Sequence, residues 1–484
     1  MNPALKTYNS FYYILGFVIN ASFGAFFFGY MMAELNLLII DLKHLYNWSD
    51  SQNSFMKGFL NGLNPIGAIV GTIISGNLFN KISRRWGLII ADFIGIIGSV
   101  ICLFLGSSGA TQIVGRFLCG ISVGINSQVI PLYINELAPL EISGVMGTFF
   151  QFFINMGILV SYLMGLGIPD DSDKYDLDNS WWRFVFAFPI ITCVLRVIFL
   201  SFVYKFDTPF SLMKRGKKKE AMEVLKKIYQ PDHVENTLQN IENKINNFKD
   251  VSYNQLFTYY RKRLAVGLLL MVTQQFSGCN AILTDSSTLF NYDGNTTKVK
   301  IYTIVTSIVL LISAMLSGKL SDKFGRRTLL LWGNASCAVV LLAMGVLQQP
   351  QFESNTFKEL SIYLTFVFIF AFGISLAPIC WVYEPEILPE KGVSLAVITN
   401  WLFCCLIVFV TPILIEQINI SPLYYFFGCY LIASHFHMYF WLHETKGKTS
   451  KEIDQIFGNV AVDYEKPLED ETIPPNSYII LDKE

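Results

Sequence analysis

Long apolar runs separated by short polar stretches fill most of this chain. Twelve can be drawn, near 11–33, 54–79, 86–106, 111–134, 144–167, 182–204, 264–290, 299–321, 328–348, 359–384, 392–415 and 421–442. Each has about 18 residues or more, the length a helix needs to cross roughly 30 Å of hydrocarbon. Composition points the same way: 52% of the 484 residues are hydrophobic, 15% are charged and 41 are phenylalanine, with a mean hydropathy of +0.44. So little polar sequence cannot coat a soluble protein of this length, and an all-α polytopic membrane protein with twelve transmembrane helices is predicted. The first run starts after about ten residues, has no cleavage-type end and leads into more spans, which predicts a retained helix rather than a signal peptide.

A basic signature occurs twice, GNLFNKISRR at 76–85 and GKLSDKFGRR at 318–327. A second pair follows two runs later, ELAPLEISG at 136–144 and EILPEKG at 386–392. Both pairs are offset by about half the chain, so the duplication predicts two pseudo-symmetric six-helix halves, 1–204 and 263–444. Residues 205–262, rich in Lys, Glu and Asn, read as a linker with short helices, helical in period from Lys214 to Ile228. Residues 445–484 read as a polar tail, with Pro467, Pro474 and Pro475 arguing against order at its end. Duplicated helical halves are the usual build of a transporter whose site lies between them.

Charge then orients the chain. Lys81, Arg84, Arg85, Lys323, Arg326, Arg327, Lys391, Lys446, Lys448 and Lys451 fall on one side of a twelve-helix alternation, while the loop 169–180 on the other side is acidic. This predicts both termini in the cytoplasm. Asn47, Asn295 and Asn419 begin Asn-x-Ser/Thr triplets at or near external loops and are candidate glycosylation sites, although Asn334 begins one inside a run. A net charge of −1 gives no reason to expect nucleic acid, and most of the nine cysteines lie inside apolar runs without metal-ligand spacing. No nucleophile–base arrangement or phosphate loop is present, so neither an enzyme, a cofactor nor ATP-driven transport is expected.

Six segments resemble the sugar porter family of the major facilitator superfamily, over Phe28 to about Ile453. They are Phe28-Gly29-Tyr30; Gly115-Arg116 with Pro131, Tyr133, Glu136 and Pro139; Gln151 with Gly157-Ile158-Leu159; QQFSGCNAI at 274–282; PICWVYEPEILP at 378–389; and HETKGKT at 443–449. The resemblance implies the fold of that superfamily and alternating-access transport of a hexose, glucose foremost, by a single chain in a cell-surface membrane. It also implies hexose contacts at Gln151, Gln274, Gln275, Asn280, Phe372 and Trp381. The residue chemistry fits this. Gln and Asn carry donor and acceptor on one side chain, as sugar hydroxyls do, and an indole packs on the C–H face of a sugar ring. Asn400 and Trp401, deep in the eleventh run, belong to the same candidate set.

A second candidate set is charged. Arg84, Arg85, Glu136, Arg326, Arg327, Glu386 and Glu444 fall at cytoplasmic helix ends, with Arg116 placed just inside the membrane. Bidentate Arg–carboxylate bonds between the halves would form a cytoplasmic gate. Asp322 and Gly325 in the second signature, against Asn80 and Ser83 in the first, suggest a better-formed latch in the C-terminal copy, with charge reversal costing more at Arg326 than at Arg84.

Departures from the family matter for coupling. Many proton-coupled members carry Asp after Phe-Gly-Tyr, where this chain has Met31, which favours facilitated diffusion. Glu34 and Asp285 remain candidate proton sites, and Glu384 is a third intramembrane carboxylate. The paired tyrosines that gate the outer side in the family are Thr284 and Asp285 here; Leu310 and Cys404 stand where Asn is common; Ala377 and His443 replace Gly and Pro; and the Pro-Glu-Ser-Pro-Arg string survives as DTP at 207–209. Several of these changes resemble protist hexose carriers. The rival expectations are a proton-coupled sugar or inositol symporter and a sugar receptor that does not transport.

Overall fold

The structure is a computed structural model that describes residues 7–46, 48–78, 82–104, 109–139, 141–167, 181–248, 251–291, 294–352, 354–418 and 420–458. Asn47, Asn419, Asn80, Lys81, the acidic loop and the proline-containing tail lie outside these residues.

Six long helices come first: α1 (Phe11–Tyr46), α2 (Asp50–Leu78), α3 (Arg84–Cys102), α4 (Ala110–Leu137), α5 (Ser143–Gly165) and α6 (Trp181–Ile198), which ends in a π turn. Four short helices follow, α7 (Pro209–Lys214), α8 (Lys218–Ile228), α9 (Pro231–Phe248) and α10 (Tyr253–Phe257). The second set comprises α11 (Arg261–Gln275), α12 (Cys279–Thr284), α13 (Ser286–Leu289), α14 (Thr296–Phe324), α15 (Arg326–Leu347), α16 (Asn355–Ile374), α17 (Leu376–Ile387), α18 (Glu390–Ile418) and α19 (Ser421–Trp441), with α20 (Ser450–Ile456) behind them. Eleven of the resulting spans are long and apolar enough to cross a membrane, with α11–α12 and α16–α17 each counting as one. The twelfth is α19, whose 21 residues include His435 and His437 and several tyrosines and so score lower in hydropathy. Twelve spans are thus present among the described residues.

The helices are built for an apolar solvent. On α3 the buried positions are Arg84, Gly87, Leu88, Ile89, Ala91, Asp92, Gly95, Gly98, Ser99 and Cys102, mostly small or polar, while Trp86, Phe93 and Ile97 on the other face are more than half exposed. Small and polar residues therefore face neighbouring helices and large apolar ones face lipid. Close approach explains the Gly of Phe-Gly-Tyr. A Cβ on Gly29 would lie 1.9 Å from the Ile154 carbonyl oxygen, and one on Gly157 would lie 2.2 Å from that of Phe26. The two glycines lock α1 against α5.

The halves meet along α2–α18, α5–α14 and shorter contacts of α1 and α4 with the second set. Two spans break where they meet the centre. Between α11 and α12 the chain turns at Gly278, whose φ of +78° favours a residue without Cβ. Between α16 and α17 it breaks at Ser375. Such interruptions are tolerated at membrane depth where backbone lines a cavity or is covered by protein.

A buried ion pair joins the first half internally. Arg196 on α6 donates to both carboxylate oxygens of Asp92 on α3, at 2.6 to 3.0 Å, and to Asn126 Oδ1 and the Ala21 carbonyl. No sequence motif marked this pair.

Candidate functional site

The two breaks border one central cavity of about 70 Å³, the first with Gln274, Gln275 and Asn280 and the second with Phe372, Ala377 and Trp381. Its wall includes all eight residues expected to bind substrate: Gln151, Gln274, Gln275, Asn280, Phe372, Trp381, Asn400 and Trp401. Phe28, Met32, Asn155, Leu310 and Cys404 also contribute, and no charged side chain lines it among the described residues. Asn155 was missed in the sequence, although it stands four residues after Gln151 and so on the same helical face.

The amides hold one another. Asn400 Nδ2 donates to Gln274 Oε1 at 2.7 Å, Gln275 Nε2 to Asn400 Oδ1 at 2.9 Å, and Asn280 Nδ2 to Gln275 Oε1 at 2.6 Å. Gln274 Nε2 donates to the Leu376 and Ala377 carbonyls, both at 3.1 Å, and so ties α11 to the first turn of α17. Across the cavity Gln151 Nε2 donates to Asn155 Oδ1 at 2.8 Å, and Asn155 Nδ2 to the Leu310 carbonyl at 2.9 Å. A polyol entering here can trade bonds with groups that are already paired, so the cavity carries no large penalty for unpaired amides when closed. Aromatic rings run between the halves: Trp381 meets Phe150 edge-on at 5.4 Å, Phe150 meets Phe28 at 6.3 Å, and Phe28 meets Trp401 at 5.0 Å. The Trp401 N–H is taken by Ser127 Oγ of the other half at 3.0 Å, so this indole offers its ring rather than its donor.

At the basic end the repeat shows a two-fold design. Arg84 Nε and Nη2 donate to Glu136 Oε1 at 3.3 and 3.0 Å, and Arg326 makes the same two bonds to Glu386 Oε1 at the same distances. The second oxygen of each glutamate accepts from a threonine, Thr208 or Thr445. Asp207-Thr208 thus matches Glu444-Thr445. Glu444 accepts the Arg326 and Arg327 backbone N–H groups at 2.9 and 3.0 Å, and Asp207 accepts that of Arg85 at 3.4 Å. In the DTP string, Asp207 thus binds the start of α3 and Thr208 binds Glu136.

These pairs each lie within one half, which corrects the expected latch. The bond across the halves is from Arg84 to Glu390 at the start of α18, a carboxylate also held by Lys214 at 3.0 Å. Gln128 to Ser394 adds a second crossing. The copies share the Arg–Glu–Thr arrangement and differ in their extra ion pairs: Arg326 adds Asp322 of its own half at 3.7 Å, and Arg84 alone of the two first arginines has an ion-pair partner in the opposite half among the described residues. Arg85 and Arg327 are not gate ion pairs either. Arg85 donates to the Leu200 and Lys205 carbonyls at 2.8 and 3.1 Å, and Arg327 to that of Tyr439 at 2.7 Å, so each ties down the end of its half's last span.

Arg116 does not belong to this end. It lies twenty residues before Glu136 on α4, about 30 Å away along the axis. There it donates to Glu34 Oε1 at 2.5 Å and to the Leu60 and Met31 carbonyls, fully buried. The alternating direction of the spans could have placed it correctly. Glu34 is thus ion-paired, away from the cavity wall. Asp285, the other candidate proton site, is paired with Lys57 of α2 at 2.7 Å.

Glu384 differs from both. It is 1% exposed, neither oxygen has a partner, and its carboxyl packs on Gly267 of α11. An acid buried without hydrogen bonds costs about 1–3 kcal/mol. Glu384→Leu is therefore expected to raise the thermal unfolding midpoint of detergent-solubilised protein by several degrees with transport retained. A lower midpoint would show that the carboxyl has a stabilising role. Asn295, the described glycosylation candidate, is exposed and caps α14 by accepting the Lys298 N–H at 3.0 Å. Asn334 is buried and donates to Leu431, as its place inside a run requires.

The family model for "Sugar (and other) transporter" matches residues 17–457. The chain belongs to the sugar transporter family. Among its relatives, Hexose transporter 1 of Plasmodium vivax is 30% identical over 462 residues, covering 90% of both chains. A hexose transporter of Saccharomyces cerevisiae is 28% identical, covering 92% of this chain and 85% of that one. The solved structure of the proton:xylose symporter XylE bound to 6-bromo-6-deoxy-D-glucose superposes with a TM-score of 0.83 at 27% identity, covering 92% of this chain and 99% of that one. The transporter therefore has the twelve-helix fold of the major facilitator superfamily, with its cavity between the two sets of spans.

Proposed function

We propose that this transporter carries a hexose, glucose first, across a cell-surface membrane by alternating access and down its gradient. One observation carries the reading: an uncharged cavity between the halves, walled by amides and indoles and closed toward the basic end by Arg84–Glu390. A neutral polyol is the ligand that such a wall matches, because each amide can both give and accept a hydroxyl bond. The relatives' names, hexose transporters in Plasmodium vivax and yeast, favour a six-carbon sugar. The cavity is walled by one chain, which supports a monomeric functional unit. The cluster of arginines and lysines at one end supports both termini in the cytoplasm.

Met31 after Phe-Gly-Tyr supports movement without protons, and Glu34 is held in an ion pair by Arg116. The second reading is proton-coupled symport. It is favoured by the Glu34 oxygen that has no partner beside the Arg116 pair and by the proton:xylose symporter among the relatives. Uptake of labelled glucose into transporter-null cells is expected to saturate and to be displaced by hexoses more strongly than by xylose or inositol. In proteoliposomes carrying a pH dye, added glucose is expected to leave internal pH unchanged; sugar-driven acidification would replace uniport by symport.

A further inference from the structure

The end of the cavity far from the basic cluster is closed by the segment after Gly278. Cys279, Asn280 and Leu283 of that segment form part of the cavity wall. Three spans of the first half grip its tip. Asn36 on α1 donates to the Leu283 carbonyl at 3.3 Å and to Ser286 Oγ at 2.7 Å. The Tyr162 hydroxyl on α5 donates to the same carbonyl at 2.9 Å. Lys57 Nζ on α2 meets Asp285 Oδ1 at 2.7 Å, with the two side chains 6% and 2% exposed. Neither Asn36, Lys57 nor Tyr162 lines the cavity, so their contacts serve the cover and not the ligand.

A dry ion pair behaves differently from aromatic packing at such a seam. Its two charges are tolerable when paired or when hydrated, and costly when one is left buried alone. Lifting the segment by rotation about the Gly278 break would wet both charges at once. The pair therefore favours two discrete positions, shut and open, and disfavours those between. It also mirrors Arg84–Glu390, the crossing ion pair at the opposite end.

We propose that Lys57 and Asp285 are the latch of the outer gate: a buried ion pair between the halves that holds residues 279–289 over the cavity and separates into two hydrated ions each time the outer path opens. On this assignment Asp285 is a gating residue and not a proton carrier. The inference rests on the cavity being the transport site, and its first readout needs no sugar.

Cys404 in the cavity wall is the reporter. Cells are treated from outside with a membrane-impermeant thiol reagent, and modification of the Cys404 peptide is quantified by mass spectrometry. Asp285→Lys and Lys57→Asp are each expected to raise the labelling rate at least tenfold and lower glucose uptake at least tenfold at matched surface level. The exchanged pair, Lys57→Asp with Asp285→Lys, is expected to bring both values back to within about threefold of the parent. If a single reversal fails to reach the surface, Lys57→Met with Asp285→Leu removes both charges, and raised labelling with reduced uptake is expected there too. Labelling that stays at the parent rate in the surface-expressed variants, or an exchanged pair no better than the single reversals, overturns the latch. Should the cargo be something other than glucose, parental glucose uptake is absent while the labelling series still decides the latch.

Discussion

Gln274→Ala is expected to lower saturable glucose uptake roughly a hundredfold while the protein still reaches the membrane. Gln274 stands at the centre of the amide set. It accepts from Asn400 and donates to the two carbonyls at the head of α17. Truncation takes from Asn400 its shortest acceptor and from α17 the amide that holds its first turn, two losses of about 1–3 kcal/mol each at buried groups. Together they amount to a factor of roughly a hundred when each tenfold corresponds to about 1.4 kcal/mol. The loss should fall on affinity as well as rate, because α17 also carries Trp381. Initial-rate uptake over a range of glucose concentrations, normalised to surface protein, measures both. Unchanged affinity and rate would remove Gln274 from the site.

Charge reversal at Arg84 is expected to be more damaging than at Arg326, the opposite of what the sequence comparison of the two signatures suggests. Arg84→Glu would place a third carboxylate against Glu136 and Glu390, both of which now rely on that guanidinium. Removing one partner from a buried pair costs about 3–5 kcal/mol, so uptake should fall by roughly two to three powers of ten. Arg326→Glu disturbs Glu386 and Asp322, which belong to the same half. Its cost should be about tenfold smaller, because the Arg84–Glu390 pair between the halves stays intact. Combining Arg84→Glu with Glu390→Arg should recover part of the loss. Equal or greater damage from Arg326→Glu, at matched surface level, would place the decisive inner contact in the C-terminal half.

Most of the cavity wall was legible before any packing was known. Gln274, Gln275 and Asn280 stand out because amides inside an apolar run need partners, whereas the turn at Gly278 that breaks this run was not read from the sequence. Phe372, Trp381, Asn400 and Trp401 came with the family resemblance and with their depth inside their runs. Asn155 was legible too, by its four-residue spacing from Gln151. Arg116 was misplaced although the alternating direction of the spans puts the start of the fourth at the end opposite the basic cluster.

The charged partners were not legible. Arg84 and Glu390 are separated by 306 positions, and Arg196 and Asp92 by 104. Lys57 and Asp285 are separated by more than two hundred positions, and only the packing of the segment after Gly278 against α2 brings them together. The two-fold match of Asp207-Thr208 with Glu444-Thr445 likewise emerged only once both pairs were seen to bind the same kind of glutamate.

The sequence by itself determined the spans, their duplication and the polar residues that must find partners, since hydrophobic length, helical period and turn chemistry are properties of neighbouring residues. Tertiary structure decided which half each charge serves, because that depends on the rotation and depth at which distant helices pack, and a shift of one turn exchanges every partner.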